Sequence, residues 1–252
     1  MKRARHLHVG TSGWHYTHWK GPFYPSHLAT KEFLAYYSRY FCTTEINNTF
    51  YQPAKKKSLT RWRNTVPDDF VFSVKASRYI THYAKLKSPQ RHLSPFLEAI
   101  QSLGHQLGCI LFQLPPRWRC NVGRLTSFLK LLPEQYRYTF EFRDPSWFCH
   151  EVYEALSKYK VAFCIYELGD VCSPKKVTTD FVYVRLHGPA GPYRGKYSTE
   201  QLAGWVGAFS SWQKQDKTIY CYFDNDEKGF AVANALELQH MIVKEKGDRF
   251  IY

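Results

Sequence analysis

Eight short apolar runs punctuate the chain, and each gives way to polar or charged residues: Leu7–Gly10, Cys42–Asn47, Phe70–Ala76, Cys109–Leu114, Tyr138–Arg143, Val161–Glu167, Phe181–His187 and Thr218–Asn225. Runs of this length, rich in Val, Ile, Phe and Cys, suit strands buried on both faces, as in a parallel sheet. Helical periodicity fills most of the gaps. Thr30–Phe41 places Phe33, Leu34, Tyr37, Tyr40 and Phe41 on one face, and a shorter helix is predicted over Ser58–Thr65. Ser94 and Pro95 read as N-cap and first residue of a helix that turns Phe96, Leu97, Ile100 and Leu103 inward and stops at Gly104. Asn121 is placed to cap a helix carrying Val122, Leu125, Leu129 and Leu132. Ser198–Gln201 forms a capping box ahead of Leu202, Trp205, Val206 and Phe209, and a last helix is expected from Gly229 to Lys244.

Strands alternating with helices eight times in one chain of 252 residues predict an α/β protein, a single (β/α)8 TIM barrel spanning residues 1–252. One unit breaks the rhythm. Leu168–Asp180 holds Gly169, Pro174, Lys175 and Lys176 without helical period, so the barrel is expected to lack a regular sixth helix.

Composition adds a setting. Seven cysteines cannot all pair, none are spaced as CxxC, and Cys42, Cys109, Cys164 and Cys221 lie inside apolar runs. Reduced cysteine packs there as a small hydrophobe, which points to a reducing, cytoplasmic environment. The basic segment Met1–His6 lacks the apolar stretch of a signal peptide, and no run is long enough to span a membrane. Lys and Arg number 35 against 21 Asp and Glu, a net charge of +14 that favours anionic small molecules or nucleic acid as partners. Aromatic residues make up 17% of the chain. Trp14, Tyr16, Trp19, Phe23, Tyr24, Phe50, Tyr51, Trp147, Phe148, Tyr193 and Tyr197 follow strand ends, where rings could line the barrel mouth and stack on a ligand.

In a TIM barrel the chemistry sits at the C-terminal ends of the strands. Strand alternation pairs Glu45 with Asn47, Glu141 with Arg143, and Arg185 with His187, each pair on one face. Lys75 closes the third strand, Gln113 the fourth, and Asp224 with Asn225 the eighth. Charges in such apolar surroundings are costly unless paired or used, so these groups form either a self-neutralising polar plug or a binding site. Lys75, Arg143 and Arg185 suit an anion, and Trp14, Tyr51 and Trp147 suit stacking on its ring. Asn47, Gln113 and Asn225 complete the ligand-binding set, and Glu45, Glu141 and His187 are the acid/base candidates. Glu45 and Glu141 could also pair as in a glycoside hydrolase. A divalent metal on Glu45, Glu141, His187 and Asp224 is compatible with the donor types, although the neighbouring cations oppose it. There is no GxGxxG, P-loop, GxSxG or HExxH, hence no nucleotide-cofactor motif. The loop carrying Arg78, His82, Lys85, Lys87, Arg91 and His92 could track a phosphate backbone, or be a solvated surface.

Seven ordered motifs carry a resemblance: Gly10–Trp14 (GTSGW), Trp19–Pro25 (WKGPFYP), Glu45–Tyr51 (EINNTFY), Leu111–Pro116 (LFQLPP), Glu141–Trp147 (EFRDPSW), Arg185–Gly188 (RLHG) and Tyr222–Asp226 (YFDND). Together they resemble the YecE-like family, domain of unknown function seventy-two, over essentially the whole chain. The resemblance implies a TIM barrel and brings no established reaction with it. It also implies two departures, Asp144 where histidine is frequent and Asp224 where asparagine is common.

These residues favour an enzyme, or former enzyme, that binds a phosphate-bearing or otherwise anionic ligand at the barrel mouth, with hydrolysis of such a substrate as the reaction class. A non-catalytic nucleic-acid-binding module built on the basic loops and aromatic rim is the alternative from another class. A carbohydrate-active hydrolase with paired carboxylates is the third.

Overall fold

The computed structural model describes residues 7–87 and 90–248. The basic N-terminal segment lies outside them. All eight apolar runs are strands: β1 (Leu7–Thr11), β2 (Thr43–Ile46), β3 (Val71–Lys75), β4 (Leu107–Gln113), β5 (Arg137–Glu141), β6 (Ala162–Leu168), β8 (Phe181–Leu186) and β9 (Thr218–Phe223). A two-residue strand, β7 (Val171–Cys172), folds back antiparallel on β6. The others follow the order β1-β9-β8-β6-β5-β4-β3-β2. This strand order, with parallel pairing and intervening helices, is that of the (β/α)8 TIM barrel.

The chain forms two compact units, one of residues 7–44, 166–172 and 184–248, the other of residues 45–165 and 173–183. In the first, β1 pairs in parallel with β9 from Leu7 opposite Ile219 to Thr11 opposite Phe223. Gly10 has to be glycine, since a Cβ there would stand 2.3 Å from the Thr43 carbonyl oxygen. Tyr37 is buried nearby. Its hydroxyl donates to Thr43 O at 3.0 Å and accepts from the Thr11 amide, also at 3.0 Å. The segment Thr30–Phe41 is less regular than its spacing predicts. It opens as a 3-10 turn, continues as α1 (Phe33–Tyr37), and leaves Tyr40 exposed. The capping box at Ser198 is formed and begins α7 (Thr199–Gln213), and the last helix, α8, runs Phe230–Asp248.

In the second unit β3, β4 and β5 pair in parallel, which sets Gln113 beside Glu141. Phe112, Phe140, Phe142 and Phe163 stack through the core of this unit. The helices here are α2 (Asn48–Tyr51), α3 (Lys56–Arg63), α4 (Gln90–Ile100), α5 (Val122–Leu129) and α6 (His150–Lys158). Asn121 caps α5 by accepting from the Arg124 amide at 2.9 Å. Pro95 does not start its helix, contrary to the sequence reading. It sits inside α4, which begins at Gln90. One more turn at the N-terminus buries Leu93 together with Phe96, Leu97 and Ile100, which outweighs the hydrogen bond a proline cannot donate. No helix follows β6. Instead the Thr178 hydroxyl accepts from the Phe163 amide (2.8 Å) and donates to Val161 O (2.7 Å), tying the irregular segment to the strand. Among the described residues no helix is long and apolar enough to cross a membrane.

Candidate functional site

The strand ends carry two polar clusters, one in each unit. In the unit of residues 45–165 and 173–183, Glu141 is fully buried and paired with the Arg143 guanidinium; the Cys164 thiol also approaches its carboxylate. Glu45 is equally buried and accepts a hydrogen bond from the Tyr183 hydroxyl at 2.6 Å. Lys75 is held at its backbone by Thr49, whose hydroxyl donates to Lys75 O at 2.6 Å. Its ammonium lies 4.3 Å from the centre of the Phe50 ring. Gln113 is buried in register with Glu141, and among the described residues nothing donates to its Oε1. The same holds for Asn47 Oδ1, whose side chain leaves the α2 N-terminus uncapped.

The sequence reading assigned His82 to a basic loop rather than to the site. It belongs to a π-helical turn, Tyr79–Tyr83, just after β3. Its ring meets the Phe50 ring edge-on at 4.9 Å, and its Nδ1 shares a 2.9 Å hydrogen bond with the Thr81 hydroxyl. Burial, followed by the positive charges of Lys75, Arg143 and Arg78, pushes its pKa down to about 4. Three cations thus act on one half-buried imidazole, and Lys75 and His82 both meet the Phe50 ring. The signal missing from the sequence was the turn itself, since nothing in the spacing of Arg78 to His92 distinguishes a histidine folded inward from one in solvent.

This depressed pKa carries a sign. An unfolded chain protonates this histidine near pH 6.5, so between about 6.5 and 4 the unfolded state holds more protons. Stability gained from an unprotonated His82 is lost as pH falls through that window. Urea titrations at pH 7 and pH 4.5 should show a smaller pH dependence for His82→Gln than for the parent protein; identical slopes would remove His82 from the cluster.

In the other unit, Arg185 and His187 stand two apart at the end of β8 and both reach Asp224, at 3.2 Å and 2.9 Å. Arginine can only donate, so its 3.5 Å contact with His187 Nε2 makes that nitrogen the acceptor. His187 Nδ1 then carries the hydrogen bonded to Asp224. Both nitrogens of this fully buried ring are engaged, an arrangement suited to orientation more than to proton exchange with solvent. Arg185 also donates to Ser12 Oγ at 3.4 Å. Asn225 is taken up by the loop architecture: its amide donates to Gly195 O (2.9 Å) and Asn234 Oδ1 (3.0 Å).

The aromatic rim needs correction. Trp14, Trp19, Tyr24, Phe50, Trp147 and Tyr197 are buried. Trp147 stacks on Phe142 at 4.8 Å, and its indole N–H donates to Trp118 O at 2.5 Å, so its face is spent on the core. Trp14 contributes its carbonyl, which accepts from Tyr24 at 2.6 Å. Large rings lose most free energy if left in water, and here the indole donor finds a backbone partner inside. Trp147→Phe is expected to cost about 1 kcal/mol of stability through that lost hydrogen bond and to leave ligand binding unchanged, as calorimetry on the variant would show. Of Trp14, Tyr51 and Trp147 only Tyr51 is open, at 61% exposure, and in the wider rim set Tyr193 is exposed as well. Among the described residues no three His, Cys, Asp or Glu side chains gather as metal ligands would.

An α/β barrel with charged residues at its strand ends is the class that fold and site define. Comparison with known proteins makes it specific. Residues 8–249 match the family model described as "Protein of unknown function DUF72". The chain is 26% identical to the UPF0759 protein YunF of Bacillus subtilis, over 94% of both chains. It is 34% identical to YecE of Escherichia coli K12 over 46% of this chain and 43% of that one. A DUF72 family crystal structure from Thermotoga maritima superposes with a TM-score of 0.85 at 30% identity, covering 94% of this chain and 98% of that one. One from Enterococcus faecalis, at 19% identity and a TM-score of 0.82, shares the fold. The chain belongs to the DUF72 family.

Proposed function

We propose that the cluster formed by Lys75, His82, Arg143 and Gln113 binds a phosphate-bearing or otherwise anionic small molecule, in an enzyme or former enzyme. The observation that carries this reading is that the Lys75 ammonium and the His82 ring meet at Phe50, 4.3 Å and 4.9 Å from its ring centre, where Arg143 and Arg78 also act on the imidazole. The positive potential that these groups set up beside the strand ends favours an anion. Arg143 supplies a planar fork for phosphate, Lys75 a point charge, and the Gln113 amide a neutral contact. If the ligand is turned over, Glu141 and Glu45 are the acid/base candidates in this unit.

His82 is the reporter. Histidine resonances followed by NMR against pH, with and without inorganic phosphate, should show its pKa rise when phosphate binds, because an anion cancels the charges that depress it. A titration unmoved by phosphate at millimolar concentration overturns the proposal.

A specific observation also favours the nucleic-acid reading. Tyr51 and Tyr83 are 61% and 62% exposed, and the Arg78 guanidinium lies over both rings, at 5.8 Å and 5.5 Å. Tyr79, also exposed, stacks on His92. Exposed rings interleaved with cations suit single-stranded nucleic acid. Anisotropy of a labelled oligonucleotide should then fall steeply with salt, and Arg78→Ala should reduce the slope by about one phosphate contact.

A further inference from the structure

The loops that follow β4 and β5 are fastened to each other at two points. The Trp147 indole donates to Trp118 O at 2.5 Å, and the Cys120 amide donates to Ser146 Oγ at 2.8 Å. Trp118 and Trp147 also meet edge to face, 5.4 Å apart. Each loop carries a half-buried cysteine close to its fastening, Cys120 on one and Cys149 on the other, and both are free thiols. Ser146, which holds the Cys120 amide, lies three residues before Cys149, so the fastening brings the two cysteine-bearing segments together. Cys149 is the N-cap residue of α6, a nine-residue helix.

We propose that Cys120 and Cys149 form a redox-active dithiol that exchanges with small disulfides of the glutathione class, closing an intramolecular disulfide between the two loops. This inference does not rest on the anion-binding reading. Cys149 leads the exchange, because Cys120 is the thiol that burial holds back. Burial and the neighbouring Cys149 push the Cys120 thiol up to about 11, so it stays protonated and waits as the resolving partner. Cys149 gives up its proton and attacks one sulfur of glutathione disulfide; a mixed disulfide forms, and the glutathione thiolate that leaves takes up that proton. Cys120 then attacks Cys149 Sγ, expelling the second glutathione and passing its proton to it. The protein loses two electrons and two protons, and one glutathione disulfide becomes two glutathione thiols.

The remaining cysteines provide internal references. Cys109, Cys164 and Cys221 are buried, Cys42 is half-buried, and Cys172 is exposed on β7; none lies in either loop. The reduced full chain would be equilibrated in defined mixtures of reduced and oxidised glutathione, quenched in acid, alkylated, and mapped by mass spectrometry without reduction. The expected result is a linked Cys120–Cys149 peptide pair in monomeric protein, while Cys172 carries at most glutathione. Its equilibrium constant should exceed that of the urea-unfolded chain at least roughly tenfold, about 30 mV for a two-electron couple. In Cys120→Ser the mixed disulfide should accumulate on Cys149. Failure of the pair to link under conditions that glutathionylate Cys172 overturns the proposal, as does equal linking in urea. Since the decisive measurement uses the unmodified sequence, a variant that fails to fold leaves it intact.

Discussion

Arg143→Ala is expected to lower the free energy of unfolding by about 3–5 kcal/mol, because it strands the buried Glu141 carboxylate without its guanidinium. For a chain of this size that corresponds to a fall in Tm of roughly 10 °C. Part of the loss should disappear at low pH, where a carboxylate deprived of its guanidinium can take up a proton. Replacing both partners, Arg143→Met with Glu141→Leu, should recover most of the stability, since a buried ion pair is often no better than well-packed apolar groups. The double variant separates the two roles of the pair. If it folds well and no longer moves the His82 titration when phosphate is added, Arg143 serves binding. If it folds well and phosphate still acts, the pair is a structural plug and the anion site must be drawn without Arg143. A single variant as stable as the parent would contradict the buried pairing itself.

Asp224→Ala carries the second large effect, about 3 kcal/mol. The Oδ2 of this carboxylate accepts from two buried side chains, Arg185 and His187, and alanine withdraws that acceptor from both donors together. Asp224→Asn keeps an acceptor for His187 and removes the charge, so it should fall between the parent and the alanine variant. Thermal melts of the three proteins at pH 7 test the order. A destabilisation under about 0.5 kcal/mol for alanine, the range of an ordinary surface change, would mean that Arg185 and His187 are held by other groups. Activity or binding lost in Asp224→Asn without loss of stability would instead return His187 to the list of chemical participants.

The scaffold was legible in the chain because it rests on local rules. Each of the eight apolar runs became a strand, with boundaries moved by one or two residues. Asn121 and Ser198 cap the helices they precede, because a cap depends only on a side-chain oxygen reaching an amide two or three residues on. The helix missing after β6 was foreseen for the same reason: Gly169 and Pro174 deny the periodicity a helix needs. Pro95 escaped the rule. Its unfavourable position inside α4 is tolerated only because of the apolar face that the added turn buries, a tertiary gain that local preference does not contain.

The site divided along the same line. Alternation along a strand placed Arg185 with His187 and Glu141 with Arg143, and those pairs are side by side, because adjacency two residues apart on one strand is a local property. Which partner neutralises which charge was decided at long range. Asp224 reaches His187 across 37 residues, and Tyr183 reaches Glu45 across 138. The fate of the aromatic residues was long-range as well: Trp147 and Tyr51 look alike as rings after strand ends, yet one is enclosed by Phe142 and Trp118 and the other stands in water. The amino-acid sequence by itself determined the strands, the caps and the inventory of charges at the strand ends. Only the tertiary structure decided that His82 turns toward Lys75, Arg78 and Arg143, and that the Cys120 and Cys149 loops meet, because desolvation and Coulomb energies depend on distance through space, which separation along the chain does not set.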